Sequence, residues 1–161
     1  SESIMSIAFL KDPEGETLED LPERPVSHHR NLVTAQGMAQ IEKEVAQLES
    51  ELSKLQHSEA DEDRHSLAHV ARDLRYWMAR RSSAEVVPVM TDTSKVHFGS
   101  TVTIEREDGR RQIWRIVGED EADPAQHTIS HVSPLARALV NKKVGDVVEV
   151  NSMDIEVVAI A

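Results

Sequence analysis

Residues 38–55 read MAQIEKEVAQLESELSKL, and their large apolar side chains recur at alternating steps of three and four. This spacing is the a/d pattern of a coiled-coil seam, so it predicts a helix whose apolar stripe faces one partner. The intervening positions are mostly Glu, Gln, Ser and Lys, which predicts solvated outer faces. One amphipathic helix cannot bury its stripe alone, so a packing partner is required. The stripe consists of Met38, Ile41, Val45, Leu48, Leu52 and Leu55.

The partner follows directly in the chain. A second stripe with the same spacing is formed by Leu67, Val70, Leu74 and Trp77, and residues 57–64 between the stripes are polar apart from Ala60. Two matched stripes around a short polar break predict an antiparallel helical hairpin over residues 34–81. Thr34 suits the N-cap of the first arm, whereas either Ser58 or a residue near Ser66 is predicted to begin the second arm.

After Pro88 the periodicity changes to that of strands. Strands are predicted near residues 101–104, 112–117, 128–132, 147–150 and 155–160, with a hairpin turn at Asp108-Gly109. Ser133-Pro134 is predicted to cap and start a short helix. The predicted fold class is α+β, with an antiparallel sheet and one short helix after the hairpin. The predicted division is an extension at 1–30, a hairpin at 31–88 and a sheet domain at 89–161.

The extension is predicted to be either poorly ordered or docked. It is acidic and proline-containing, which disfavours a core of its own, yet Ile7, Phe9 and Leu10 are apolar enough to dock on another surface.

Composition excludes several classes of protein. The formal charge is −11, so attraction of nucleic acid by a general positive field is excluded and a local basic patch or a basic partner would be needed. The chain has no cysteine, which excludes disulfides and thiolate metal sites. No apolar run approaches the roughly 18 residues of a membrane span, and no signal-peptide pattern opens the chain, so a cytoplasmic location is expected.

Several segments resemble a known family. The stretches FGSTV (98–102), WRIVGEDEAD (114–123), SPLARAL (133–139) and VGDV (144–147) are similar to the C-terminal domain of the bacterial Gre transcript cleavage factors. Weaker similarities, at Leu32-Val33-Thr34 with Gly37 and at Leu74-Arg75-Tyr76, fall in that family's coiled coil. The resemblance implies an FKBP-like domain that docks on RNA polymerase, and a hairpin that enters its secondary channel near the catalytic Mg²⁺.

The tip departs from the family. The Gly-Asp, Glu-Asn and Tyr of the family's tip are absent, and the hairpin is expected to be shorter by about two turns per arm. In this it resembles the Rnk type of factor, which occupies polymerase without supporting cleavage. Asp61 and Glu62 are the candidate tip carboxylates for the polymerase's Mg²⁺, with Glu59 or Asp63 as alternatives. A solvated acidic cap that complements the helix dipole is the competing interpretation.

Other residues carry weaker hypotheses. Partner binding is predicted at the most family-like positions: Asp120, Glu121, Asp123, Ser133 and Pro134. The competing interpretation is that Ser133 and Pro134 only cap a helix and that the acidic residues only keep a loop soluble. A further hypothesis is RNA or DNA contact through Arg72, Arg75, Arg80 and Arg81. The simpler interpretation is that these arginines pair with acidic residues of the other arm.

His65 and His69 share one helix face, but without cysteine or a zincin-like Glu they do not predict a structural zinc site. An FKBP-like fold suggests proline isomerase activity only by analogy, and fold does not carry function.

Two functions remain. The first is a polymerase-binding regulator whose hairpin modulates the secondary channel, and the second is a factor that stimulates RNA cleavage by a backtracked polymerase. In neither case is the chain predicted to be an enzyme by itself or to hold a cofactor of its own.

Overall fold

Both predicted helices are present in the computed structural model, which describes residues 21–161. Helix α1 spans Ala35–Gln56 and helix α2 spans Glu62–Ser83. The predicted N-cap is confirmed, because the Thr34 hydroxyl accepts a hydrogen bond from the Gly37 N–H at 2.9 Å and the Thr34 carbonyl accepts one from the Met38 N–H. The α+β class with an N-terminal helical hairpin is confirmed as well.

The predicted start of the second arm is wrong in both of its versions. Helix α2 begins at Glu62, between Ser58 and Ser66. The Ser58 hydroxyl accepts from the Ala60 N–H and donates to the Asp63 carboxylate at 2.5 Å, so it organises the tip rather than capping α2. Glu62 and Asp63 occupy the first turn of α2, where negative charge is favoured by the helix dipole.

Burial of the two stripes is uneven. Ile41 and Val45 in α1 are buried, as are Val70 and Leu74 in α2. Nearer the tip, the stripe is only half-buried at Leu48, Leu52, Leu55 and Leu67. The apolar side chains of the seam are therefore more buried away from the tip than near it.

Part of the N-terminal extension contacts α2. The Arg24 guanidinium lies 4.0 Å from the centroid of the Tyr76 ring and 3.5 Å from an Asp73 carboxylate oxygen. Glu23 forms an ion pair with Arg75 at 2.6 Å. The predicted docking residues Ile7, Phe9 and Leu10 lie outside the described residues.

A five-stranded sheet follows the hairpin. Its strands are β3 (Thr101–Arg106), β4 (Arg111–Val117), β5 (Thr128–Ser130), β6 (Val147–Val150) and β7 (Met153–Ile160). Across the sheet they lie in the order β5-β4-β3-β7-β6. The prediction of a wholly antiparallel sheet is wrong, because β5 pairs with β4 in parallel. The loop after β4 contains a short 3-10 helix at Pro124–Gln126 and returns the chain to the edge of β4 in the same direction.

The core of this region lies between the sheet and helix α3, which spans Pro134–Leu139. Alternate residues of β3 and β7 face it, as the period of two requires. The predicted turn after β3 is present, with Gly109 at a φ of 86° that favours glycine. The buried core residues are Val96, Val102, Ile104, Ile116, Ala136, Leu139, Val148, Ile155 and Val157.

A parallel pair of two-residue strands was not predicted. Strand β1 (Leu32–Val33) precedes α1, strand β2 (Glu85–Val86) follows α2, and Leu32 aligns with Glu85. The Glu85 N–H donates to the Asn31 carbonyl and the Val87 N–H to the Val33 carbonyl.

The chain forms two compact units. Among the described residues, one contains 21–28 together with Ile41–Ser82, and the other contains His29–Gln40 together with Ser83–Ala161. The first turn of α1 therefore belongs to the unit that holds the sheet. Among the described residues, no helix has the length and apolarity to cross a membrane.

Candidate functional site

Glu121 lies at the centre of a hydrogen-bonded cluster in the sheet unit. Its carboxylate accepts from the Thr34 N–H at 2.8 Å, from the Thr34 hydroxyl at 2.5 Å and from the Gly118 N–H at 3.1 Å. Thr34 in turn caps α1, so one carboxylate joins the loop after β4 to the start of that helix. We call Thr34, Gly37, Gly118 and Glu121 the capping cluster.

Both glycines of the capping cluster are required by space. A Cβ at Gly37 would collide with the Glu121 carboxylate. A Cβ at Gly118 would lie 2.5 Å from the Leu32 carbonyl oxygen, which is backbone and cannot swing away. The cluster therefore depends on two glycines more than 80 residues apart, and sequence reasoning missed it. The only local signal was Thr34 followed by Gly37, which was recognised as a helix start.

The other acidic residues of this loop have different environments. Asp123 is exposed and N-caps the 3-10 helix, where its side chain accepts from the Ala125 N–H at 3.0 Å. Its own N–H donates to the Thr128 hydroxyl at 2.7 Å. Asp120 is half-buried. Of the three acidic residues predicted to bind a partner, Asp123 presents the most open carboxylate, while that of Glu121 is occupied within the chain.

Ser133 and Pro134 begin helix α3. The Ser133 side chain accepts from the Ala136 N–H at 3.2 Å, and Pro134 occupies the first turn. The capping part of the prediction is confirmed, and partner binding at these two residues stays a prediction. Pro134 is exposed, so it is accessible to a partner.

His131 precedes this helix and was not singled out by the sequence. Burial lowers the pKa of its imidazole, as do the nearby His29 and Arg137 to a smaller extent, while the negative charge of Glu119 acts in the opposite direction. Its Nε2 atom is buried without a hydrogen-bond partner among the described residues. The neutral imidazole is therefore the favoured form in the folded unit.

A groove of about 330 Å³ opens beside the first turn of α1 within the sheet unit. Its apolar wall includes Val89 and Met90, which are 87% and 51% exposed, and Phe98. Arg115 is its cation, with Nε donating to the Gly99 carbonyl at 3.3 Å and a terminal nitrogen lying 3.4 Å from the Gln36 side-chain oxygen.

The tip of the hairpin presents the predicted carboxylates to solvent. Asp61 and Glu62 are exposed, and Glu59 is too, whereas Asp63 is half-buried and bonded to Ser58. The described residues contain no group of three or more side chains arranged to hold a metal ion. Any Mg²⁺ at Asp61 or Glu62 would therefore need further ligands from a partner.

The four α2 arginines that were candidates for nucleic-acid contact are not equivalent. Arg72 pairs at 3.2 Å with Asp73, a carboxylate that it shares with Arg24, and Arg75 pairs with Glu23. Both cations therefore already have an acidic partner within the chain. Arg80 is 1% exposed. Arg81 is exposed and is the member of the set most accessible to a phosphate.

Comparison with known proteins bears on the sheet unit. Residues 91–161 match the family described as transcription elongation factor, GreA/GreB, C-terminal. A transcription elongation factor GreA of Bradyrhizobium diazoefficiens is 42% identical over 97 residues, which cover 60% of this chain and 60% of that protein. A transcription elongation factor GreB of Neisseria meningitidis serogroup B is 43% identical over 88 residues, which cover 53% of this chain and 54% of that protein. The chain thus matches only part of the length of these curated relatives.

Solved structures that align with this chain have related titles. The GreA factor homolog 1 of Thermus thermophilus aligns with a TM-score of 0.39 and 19% identity, over 83% of this chain and 99% of that one. A GreA/GreB elongation factor of Nitrosomonas europaea aligns with a TM-score of 0.40 and 20% identity, over 81% and 98%. The resemblance to the Gre family is confirmed by the family match and the sequence relatives.

Proposed function

Because residues 91–161 form a GreA/GreB-type C-terminal domain, we propose that this chain is a transcription elongation regulator that binds RNA polymerase. In this proposal the sheet unit docks beside the secondary channel, and the α1–α2 hairpin enters the channel and modulates access to the active site. The observation that carries the proposal is the match of the whole sheet region to a family of elongation factors. The chain would act on the polymerase and would have no catalytic activity of its own.

The length of the hairpin suits insertion into a channel. Each helix contains 22 residues and is therefore about 33 Å long. The connection between them, residues 57–61, is short and polar. A projection of this kind fits a factor that occupies a channel, in the manner of the Rnk-like interpretation of the sequence.

The docking surface is proposed to be the loop after β4 and the start of α3. Asp120 and Asp123 offer carboxylates there, and Pro134 offers an exposed apolar contact. Glu121 would contribute indirectly, because it holds the loop against Thr34. Charge complementarity would then favour a basic surface on the polymerase.

A second function, stimulation of transcript cleavage, is favoured by one observation. Asp61 and Glu62 are adjacent, exposed and free to approach a metal ion held by a partner. Carboxylate oxygens are suitable ligands for Mg²⁺ and can position a water molecule for attack on a phosphodiester. In this case Arg81 would be the cation best placed for a phosphate contact, with Arg72, Arg75 and Arg80 less accessible.

A transcript cleavage assay separates the two functions. The full chain is added to a backtracked bacterial polymerase, and both binding and RNA cleavage are measured. Binding without cleavage supports the regulator, and cleavage that is lost in Asp61→Asn with Glu62→Gln supports the second function. The matched control is Glu49→Gln with Glu51→Gln, which removes two exposed carboxylates of α1 away from the tip.

A docking variant tests the interface. Asp123→Lys with Pro134→Ala is expected to weaken polymerase binding at least tenfold, because it reverses a charge and removes an exposed contact. Circular dichroism checks that α3 and the sheet are retained. Absence of polymerase binding by the unaltered chain would end both proposed functions.

A further inference from the structure

A hydrogen bond joins the ring nitrogens of two histidines of α2. His65 and His69 are one helical turn apart, and their Nε2 atoms are separated by 2.9 Å. The ring centroids are 4.5 Å apart at an interplanar angle of 68°. Residues four apart on a helix lie on the same face, so the backbone of α2 holds this pair together.

The hydrogen bond shows that the two nitrogens lie close enough together to be reached by one metal ion. Imidazole nitrogens bind transition metals at about 2.0–2.1 Å. Two such bonds at a right angle place their nitrogens about 2.9 Å apart, whereas the tetrahedral angle preferred by zinc places them about 3.3–3.4 Å apart. Because about 2.9 Å is also the ordinary length of a hydrogen bond, the distance shows proximity only, and the metal class is assigned from the ligand preferences of imidazole.

We propose that His65 and His69 form a two-histidine chelate for a divalent transition metal of the Cu²⁺ or Ni²⁺ class. Neutral imidazole is a preferred ligand of both ions, and both adopt right-angled geometries. Water completes the coordination sphere, because the described residues provide no group of three or more ligands. The site is thus an exchangeable one on the helix surface, distinct from the structural zinc site that the sequence disfavours.

The surroundings of the pair attract a cation. Asp61, Glu62 and Asp63 precede His65 within one turn, and the chain carries a net charge of −11. Arg64 and Arg72 act against this attraction, but Arg72 is paired with Asp73. The metal bridges one turn of α2, so binding is expected to stabilise the tip-proximal half of that helix.

Calorimetric titration of the full chain with CuCl₂ and with NiCl₂, in a non-coordinating buffer at neutral pH, tests the site. His65→Ala and His69→Ala are each expected to lower the affinity for Ni²⁺ about tenfold or more, because chelation by two ligands is lost. The matched control, His57→Ala, removes an exposed histidine whose Nδ1 contacts the Ser53 carbonyl, and it is expected to change the affinity by less than about twofold.

A spacing variant tests whether metal affinity depends on the spacing of the two histidines or only on their number. His69→Ala with Ala71→His keeps two histidines in α2 but places them about 120° apart around the helix, and it is expected to bind as weakly as His69→Ala. Circular dichroism follows the helix content of each variant. Unchanged affinity in His65→Ala, equal loss in His57→Ala or full binding by the spacing variant would each overturn the proposal. Tighter binding of Zn²⁺ than of Cu²⁺ would overturn the assigned metal class.

Discussion

The hairpin and the sheet differ in how much of their apolar surface is buried. The sheet unit has nine core residues that are at most 8% exposed, whereas the two stripes of the hairpin have only four buried members. The family match covers the sheet region alone, from residue 91 to residue 161. A closely packed core restricts which side chains fit, while a half-exposed seam accepts many apolar sequences. The sheet core should therefore tolerate fewer substitutions than the seam of the hairpin.

Truncation of apolar residues should give the largest difference in unfolding free energy between the sheet and the hairpin. Ile104→Ala, in the fully buried core of the sheet, is expected to cost about 2–5 kcal/mol of unfolding free energy. Leu52→Ala, in the half-buried part of the seam, is expected to cost about 1 kcal/mol. Urea unfolding of two single-tryptophan variants, one that keeps Trp114 in the sheet and one that keeps Trp77 in the hairpin, measures the two losses separately. Equal losses would mean that the seam is as well packed as the core.

Removal of the capping carboxylate should cause the next largest loss of unfolding free energy. Glu121→Ala leaves the Thr34 and Gly118 N–H groups without this acceptor and is expected to cost about 1–3 kcal/mol. Urea unfolding monitored at Trp114 reports the change. The control Glu149→Ala removes an exposed carboxylate of β6 and should leave the midpoint nearly unchanged. An unchanged urea midpoint in Glu121→Ala would show that water replaces the carboxylate without loss of stability.

The contact of Arg24 with α2 should contribute less to stability than the capping carboxylate does. Arg24→Ala removes the guanidinium from the Tyr76 ring and is expected to destabilise the hairpin unit by about 0.5–1 kcal/mol. Thermal unfolding followed by Trp77 fluorescence tests this value. Arg64→Ala, which removes an exposed arginine from the same helix, serves as the reference. If both variants melt at the same temperature, the contact of Arg24 with α2 adds no stability to the hairpin.

The smallest effect near neutral pH is expected from His131. Because its pKa is lowered in the folded unit, its contribution to stability is fully present above the unfolded pKa of about 6.5 and is lost as the pH falls through the folded pKa. The sheet unit should therefore become less stable below about pH 6.5, and His131→Gln should flatten that decline. Urea midpoints between pH 7.5 and pH 5 provide the measurement. His57→Gln, an exposed change in the hairpin, should leave the slope of the sheet transition unaltered.

Much of the fold could be predicted because its signals are local. The stripe from Ile41 to Leu55 has a helical period, Asp108-Gly109 has the chemistry of a tight turn, and Ser133-Pro134 has that of a helix start. The start of α2 was missed because several acidic and serine residues near the tip suit a cap equally well. The direction of β5 was missed because a three-residue strand carries no signal of which neighbour it joins.

For the candidate sites, the sequence identified residue types and the fold identified their partners. The exposed tip carboxylates at Asp61 and Glu62 were predictable, since a polar break between two stripes has to face solvent. The occupation of Glu121 by Thr34 was not predictable, because 87 residues separate them and no periodicity relates them.

Periodicity and short segments of contiguous residues were enough to predict the two amphipathic helices, the strand-rich region after them and the family that this region resembles. Three features required the folded structure: one carboxylate ties the loop after β4 to the start of α1, β5 runs parallel to β4, and two histidine nitrogens of α2 lie 2.9 Å apart. The first two depend on the closure of long loops, and the third depends on side-chain rotamers, neither of which a pattern of residue types specifies.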